Sequence, residues 1–252
     1  MSFATKPDMA LVLLEQLCRD GVQKAPVLAD SLYGDCSALR QGVRQLGLEF
    51  FVQVTPTGHT AWQQSPRLIK KQKRCHPAPD QPKAQTLLQI ASSWPQDFWQ
   101  PVQWKATDGT TRHSRLAWKE IYLTHSLREA AGQPEKVWLV VDWPQGDAQP
   151  YHCYLADLKS APQKLPCLRL SRARWHVEQY FQRSKQDLGL DHYEGRSWRG
   201  FHHHLILSAL AYLFVTLKYL RSKKNFWRLL GGSAAADPAI VAEINRPLPL
   251  LP

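Results

Sequence analysis

The amino-acid sequence predicts an α/β fold, and three observations predict it. The first part alternates helical and strand-like segments. The middle is a run of short apolar stretches separated by turn residues. The last part returns to helical spacing. The chain has 252 residues and is 44% hydrophobic, enough for a packed core in one or two domains.

The elements follow in order. After a short extended start, good helix formers predict a helix around Met9 to Arg19, flanked by Asp8 and Asp20. Pro26–Ala29 reads as a short apolar strand ending at Asp30, and Tyr33-Gly34-Asp35 as a turn. Ser37 to Leu46 reads as a second helix with Asp35 placed to cap it, and Gly47–Val54 as a strand. Residues 55 to about 97 are rich in Pro, Gln and Lys and show little periodicity. The basic run Arg67-Leu-Ile-Lys-Lys-Gln-Lys-Arg74 lies there, either following a DNA backbone or forming a solvated loop. Strands are predicted at Val102–Ala106, Arg112–Trp118, Lys136–Val141 and His152–Leu155, with Asp108-Gly109 as a hairpin turn. Residues 119–131 read as strand followed by a short helix or loop.

Helical spacing resumes in Arg174-Trp-His-Val-Glu178-Gln-Tyr-Phe-Gln-Arg-Ser-Lys185. Arg174, Glu178 and Lys185 fall on roughly one face at 3.6 residues per turn, beside an apolar stripe of Trp175, Phe181 and Leu188 able to dock on a sheet. A carboxylate so placed can ligate Mg²⁺ while the cations hold phosphates; the same spacing also suits an ordinary surface helix with ion pairs. His202-His-His204 cannot converge on one metal, because successive helical residues splay by about 100°; they read as polar and packing residues at a helix start. Leu205–Leu217 is nearly continuous apolar, broken by Ser208 and Thr216. It is short for a bilayer and is expected as a buried core helix packed across the sheet beside the Glu178 helix. The cations of Arg221-Ser-Lys-Lys224 close it, and a loose tail is expected from Gly231.

Three segments together resemble the insertion-sequence transposases of the DDE superfamily. Arg174, Glu178 and Lys185 meet that family's R-(3)-E-(6)-K pattern, with Ser171 departing from the Tyr that precedes it. Gly189-Leu-Asp-His-Tyr-Glu-Gly-Arg-Ser-Trp-Arg-Gly200 follows, and Val27-Leu-Ala-Asp30-Ser-Leu-Tyr-Gly34 lies far upstream. The resemblance spans roughly residues 1 to 220. It implies a partial ribonuclease-H-like core interrupted by a mostly β insertion and followed by C-terminal helices. The implied organisation is core at 1–55, insertion at 56–165, core again at 166–224 and tail at 225–252. It also implies Asp30 and Glu178 as catalytic ligands of Mg²⁺ or Mn²⁺, with Arg174, Lys185, Arg196 and Arg199 on DNA. Two such metals flank a scissile phosphate, and hard carboxylate oxygens suit them. Asp187, Asp191 and Glu194 are the alternatives to Glu178, but none has an Arg four residues before it.

The family's first Asp sits on a strand many tens of residues before the second. Only 29 residues precede Asp30. The expectation is therefore a C-terminal part of a transposase that does not catalyse strand transfer alone, with the Asp30 strand lacking its usual neighbours. The alternative is a non-catalytic DNA-binding module or an inhibitor that competes for DNA or pairs with a full-length transposase. A homodimer is a further expected arrangement.

Composition fits a nucleic-acid partner: 32 Lys and Arg against 21 Asp and Glu give a net charge of +11. A generic RNA-binding protein is disfavoured, because no aromatic ribonucleoprotein motif or OB-like strand series is evident. The five cysteines are scattered, with no Cys-x-x-Cys pair. That argues against a disulfide framework or zinc ribbon and fits a reducing cytoplasm. The first residues lack the apolar core of a signal peptide.

Overall fold

A computed structural model describes residues 4–71, 74–106, 110–124 and 134–222. The chain divides into two compact units, Met1–Val102 with His113–Arg174, and Gln103–Arg112 with Trp175–Pro252.

In the first unit, helix α1 (Lys6–Arg19) starts where the sequence supplies a capping box. Asp8 N donates to Thr5 Oγ1, Thr5 N donates to Asp8 Oδ2, and a proline occupies the first turn. Asp8 and Asp20 therefore serve as cap residues. Strand β1 (Val27–Ala29) leads into the short helix α2 (Ser31–Gly34), then α3 (Ser37–Gln45) and strand β2 (Phe50–Val54). Asp35 does not cap α3 as the sequence suggested; Cys36 is its N-cap residue and makes no side-chain capping bond.

The stretch expected to lack regular structure contains several elements: β3 (Thr60–Trp62), a two-stranded ribbon of β4 (Leu68–Lys71) and β5 (Arg74–Pro77), β6 (Gln85–Thr86) and α4 (Leu87–Ser92). Periodicity missed them because most span two to four residues, too few to establish a repeat. Strands β7 (Gln100–Lys105), β8 (Thr111–Leu123), β9 (Glu135–Pro144) and β10 (His152–Asp157) contain or overlap the four predicted strands. The Asp108-Gly109 turn lies outside the described residues, but Ala106 N donates to Thr110 O at 2.8 Å beside it.

The main sheet runs β1-β2-β10-β9-β8-β3-β6, with β7 also paired to β8. β1 and β2 are parallel, and β2, β10, β9, β8, β3 and β6 follow antiparallel. This is a mixed sheet in an α/β chain with helices after it, consistent with a partial ribonuclease-H-like core. Leu39 and Val43 of α3, Phe50, Val52 and Val54 of β2, and Ile90 of α4 join Ile121, Leu139, Val141 and Leu155 in one core. The alternation along β2 puts Phe51 among buried residues too, where it stacks on Tyr154 at 4.8 Å. Burial pushes the Tyr154 hydroxyl up to about 12, and the Cys153 and Cys167 thiols to about 12 and 11. These thiols are thus inert packing groups. Helix α5 (Lys164–Ala173) buries Cys167, Leu168 and Ser171.

Charged side chains are also inside. Arg40 is 1% exposed, and its Nη2 lies 2.9 Å from Glu135 Oε2 on β9. Arg44 Nη1 reaches Glu135 Oε1 at 2.7 Å and its Nε pairs with Asp157 on β10. A second buried carboxylate, Asp142, accepts from Ser114 and from Arg172 Nη2, the latter at 2.6 Å.

In the second unit, α6 (Trp175–Leu188) pairs with α7 (Trp198–Ser222), and Tyr180 meets Tyr212 edge-on at 5.0 Å. Within this unit α6 covers only part of α7: Ile206, Leu207, Leu210, Leu213 and Phe214 are each more than half exposed. A helix packed on one neighbour buries only the facing side, here the side of Ser208 and Tyr212. Trp175 and Phe181 are likewise about half exposed. By length and composition alone, Trp198–Lys218 is long and apolar enough to cross a bilayer. The expected tail, 225–252, lies outside the described residues.

Breaking a buried ion pair from one side strands a charge, costing about 3–5 kcal/mol, whereas removing both partners costs less. Arg40→Met should therefore destabilise the chain by about 3–5 kcal/mol in urea unfolding, and Arg40→Met with Glu135→Leu by less than the sum of the single changes. Burial of Glu135 opposes ionisation, but Arg40 and Arg44 outweigh it and hold its pKa below the usual 4.5. Its contribution is complete above that value and is lost as pH falls through the depressed folded-state pKa. Acid unfolding midpoints of the wild type and Glu135→Gln should therefore differ, with the stability gap closing below pH 4.5.

Candidate active site

Asp30 stands at the end of β1 and opens α2. Its extended backbone (φ −80°, ψ −178°) lets Oδ1 accept Leu32 N at 3.0 Å, while its own carbonyl accepts Gly34 N at 2.7 Å. The residue is exposed, so its carboxylate is open to solvent and ligands. The Tyr33-Gly34 pair following it has a steric reason. A Cβ built on Gly34 would collide with the Gln53 carbonyl of β2, so α2 lies against the strand only because residue 34 has no side chain. Arg40 Nη1 donates to the Gly34 carbonyl at 2.5 Å, tying this turn to the buried Glu135 pair.

Immediately beyond, Asp35 accepts from Thr55 N at 2.9 Å and from Thr55 Oγ1 at 2.6 Å, and its Oδ1 lies 2.9 Å from His59 Nε2. Partial burial would raise the Asp35 pKa, but the bonds from Thr55 and His59 lower it overall. This group fixes the chain leaving β2 against the chain leaving α2. The sequence hinted at it only by polar residues spaced around two strand ends.

β1 is an edge of the sheet among the described residues. Val27 N donates to Glu49 O at 2.8 Å, so Val27 faces β2 and Leu28 turns its amide and carbonyl to the open side. That edge is short, at three residues, which limits its capacity to pair with other chains.

Glu178 lies in the first turn of α6, half-buried, and Lys185 in the last turn, exposed. Arg174 departs from the sequence reading: it is the αR residue capping the end of α5 and lies before α6, so the three do not share one helix. Both Arg174 and Glu178 are engaged in interactions. Arg196 precedes α7 and Arg199 lies in its first turn, both exposed. Of the alternative acids, Asp187 pairs with Arg183 at 3.4 Å, and Asp191 and Glu194 are exposed. The histidines pack as expected: His202 Nδ1 is 2.9 Å from Trp198 O, and His204 Nε2 is 2.8 Å from Gly189 O. Among the described residues, no three His, Cys, Asp or Glu side chains gather to hold a metal ion.

A strand-end acid on a mixed sheet is thus followed by a short helix packed on the next, parallel strand. In comparison with known families, residues 1–113 match the family described as DDE superfamily endonuclease. The match contains Asp30, Gly34 and Arg40 and ends before Glu135 and α5. DNA is the substrate that this family implies, and divalent metals are its general cofactor. No curated protein matches the chain.

Gly34→Ala tests the local architecture. Overpacking against the backbone of β2 should lower stability by about 1–3 kcal/mol, read as a fall in the thermal unfolding midpoint. Gly146→Ala, whose added Cβ meets nothing within 4 Å although φ is +103°, provides the comparison for strain without collision.

Proposed function

We propose that the chain carries Asp30 and Glu178 as metal-ligating carboxylates of a DNA-cleaving and strand-transferring enzyme of the transposase type. The observation that carries this reading is Asp30 itself: an exposed carboxylate at a strand end, held by a turn locked sterically at Gly34 and electrostatically at Arg40, inside the segment that matches the endonuclease family. Hard carboxylate oxygens at such a place fit Mg²⁺ or Mn²⁺. Such ions, when bound, would activate an attacking oxygen and stabilise a leaving one on a phosphodiester. Arg174, Lys185, Arg196 and Arg199 would neutralise DNA phosphates. The element's ends and its target are the DNA partners in this reading, and a homodimer or pairing with a full-length transposase is the assembly.

A second reading is favoured by a specific observation. Among the described residues no three His, Cys, Asp or Glu side chains gather as a metal site. A DNA-binding module without cleavage, acting as a competitor of an active transposase, fits that arrangement.

Nicking of supercoiled DNA with Mg²⁺ or Mn²⁺ separates the two. Cleavage that disappears in both Asp30→Asn and Glu178→Gln, with DNA affinity kept within about twofold, supports the catalytic reading. Salt-sensitive binding without nicking in the wild type supports the module. Cleavage that persists in both variants overturns the assignment of these two carboxylates.

A further inference from the structure

Asp30 has a neighbour across the sheet that the sequence does not single out. Strand β1 pairs in parallel with β2, with Val27 opposite Phe50, Leu28 opposite Phe51 and Ala29 opposite Val52. The backbone stays extended through Asp30 (φ −80°, ψ −178°). One residue past this register, Asp30 therefore lies beside Gln53, and β10 continues the row with Tyr154 opposite Gln53. Side chains alternate between the two faces of a sheet, and neighbours in one row share a face. Val27, Ala29, Val52 and Val54 all pack with the apolar core on one face, so Asp30 and Gln53 project from the other. Adjacent strands lie about 4.8 Å apart, a gap that a glutamine side chain spans.

The backbone at Gln53 is held from several directions. Its carbonyl abuts Gly34 so closely that no Cβ fits between them. Two residues on, Thr55 donates its N and Oγ1 to Asp35 at 2.9 and 2.6 Å. On the same face, Phe51 stacks on Tyr154 at 4.8 Å. The Gln53 carboxamide itself is half-buried and makes no hydrogen bond with another described residue. Its chemistry suits a place beside an acid. A Lys or Arg here would pair with Asp30 and occupy its oxygens, and a second carboxylate would repel a phosphate. A carboxamide does neither, and its NH2 offers two donors.

We propose that Gln53 is a substrate-contacting residue of the candidate site, its carboxamide NH2 donating to a non-bridging oxygen of the DNA phosphate seated beside Asp30. The contact rests on the DNA reading above and adds to it a neutral group that touches the phosphate. It requires no cleavage, so it holds equally for a cutting enzyme and for a binding module.

The test compares the full chain with Gln53→Met, which keeps the length and loses the donors, and Gln53→Glu, which keeps the shape and adds a charge. Circular dichroism and thermal melts establish which variants are folded, and either folded variant reads the contact. Affinity for one short DNA duplex is measured with Ca²⁺ present, a hard cation suited to carboxylate oxygens, over a series of monovalent salt concentrations. A hydrogen bond to a charged oxygen is worth about tenfold in affinity or more, so Gln53→Met should bind about tenfold more weakly. Gln53→Glu should bind more weakly still, whereas a residue that only packs would tolerate the isostere better. A neutral donor releases no counterion, so the log–log salt slope of Gln53→Met should match that of the wild type. Affinity within about twofold of the wild type in a folded variant overturns the contact and leaves the DNA reading intact. A slope flattened by about 0.9 or more in Gln53→Met also overturns it, because the loss then belongs to a displaced cation. A wild type that binds no DNA overturns both.

Discussion

The Arg40 guanidinium is the constraint on which the candidate site depends. One side chain, 1% exposed, pairs with Glu135 on β9 and donates to the Gly34 carbonyl that closes the turn after Asp30. A buried cation of this kind is tolerated only when its donors are all directed at acceptors. Meeting that condition ties α3 and the turn at Gly34 just before it to a strand 95 residues on. Arg44 extends the same logic to β10 through Asp157. Polar satisfaction thus sets the place of the turn holding the candidate metal ligand, and the apolar core beside it supplies most of the stabilisation.

The glycine following Tyr33 completes this arrangement by steric means. α2 can lie against β2 only if residue 34 adds no carbon above the Gln53 carbonyl, and only then is Gly34's own carbonyl in reach of Arg40. The Asp-x-x-Tyr-Gly pattern therefore has a mechanical explanation that does not depend on catalysis. A chain that had lost its chemistry but kept its fold would be expected to retain the glycine.

Legibility in the sequence followed the physics of each segment. Helix α1 was readable because good helix formers and its acidic flanks are all local signals. β9 and β10 were readable because their apolar runs bury both faces. Asp30 was readable from the apolar run ending at an acid. The Arg40–Glu135 pair was not, since a single charged residue on a helix looks solvent-facing until its partner is known. The short strands of residues 60–86 lacked the length for a period to show. For the Leu205–Leu217 helix, composition gave the apolar surface but does not say which faces have neighbours.

Cleaving and binding DNA make different physical demands. Metal chemistry needs acids held in fixed geometry, so its candidate, Asp30, sits where burial, sterics and a guanidinium over-determine the backbone. Binding a uniformly charged duplex needs reach and cations more than exact placement. The long-range attraction of a chain carrying +11 is not specific to any one element and would gather DNA without orienting it.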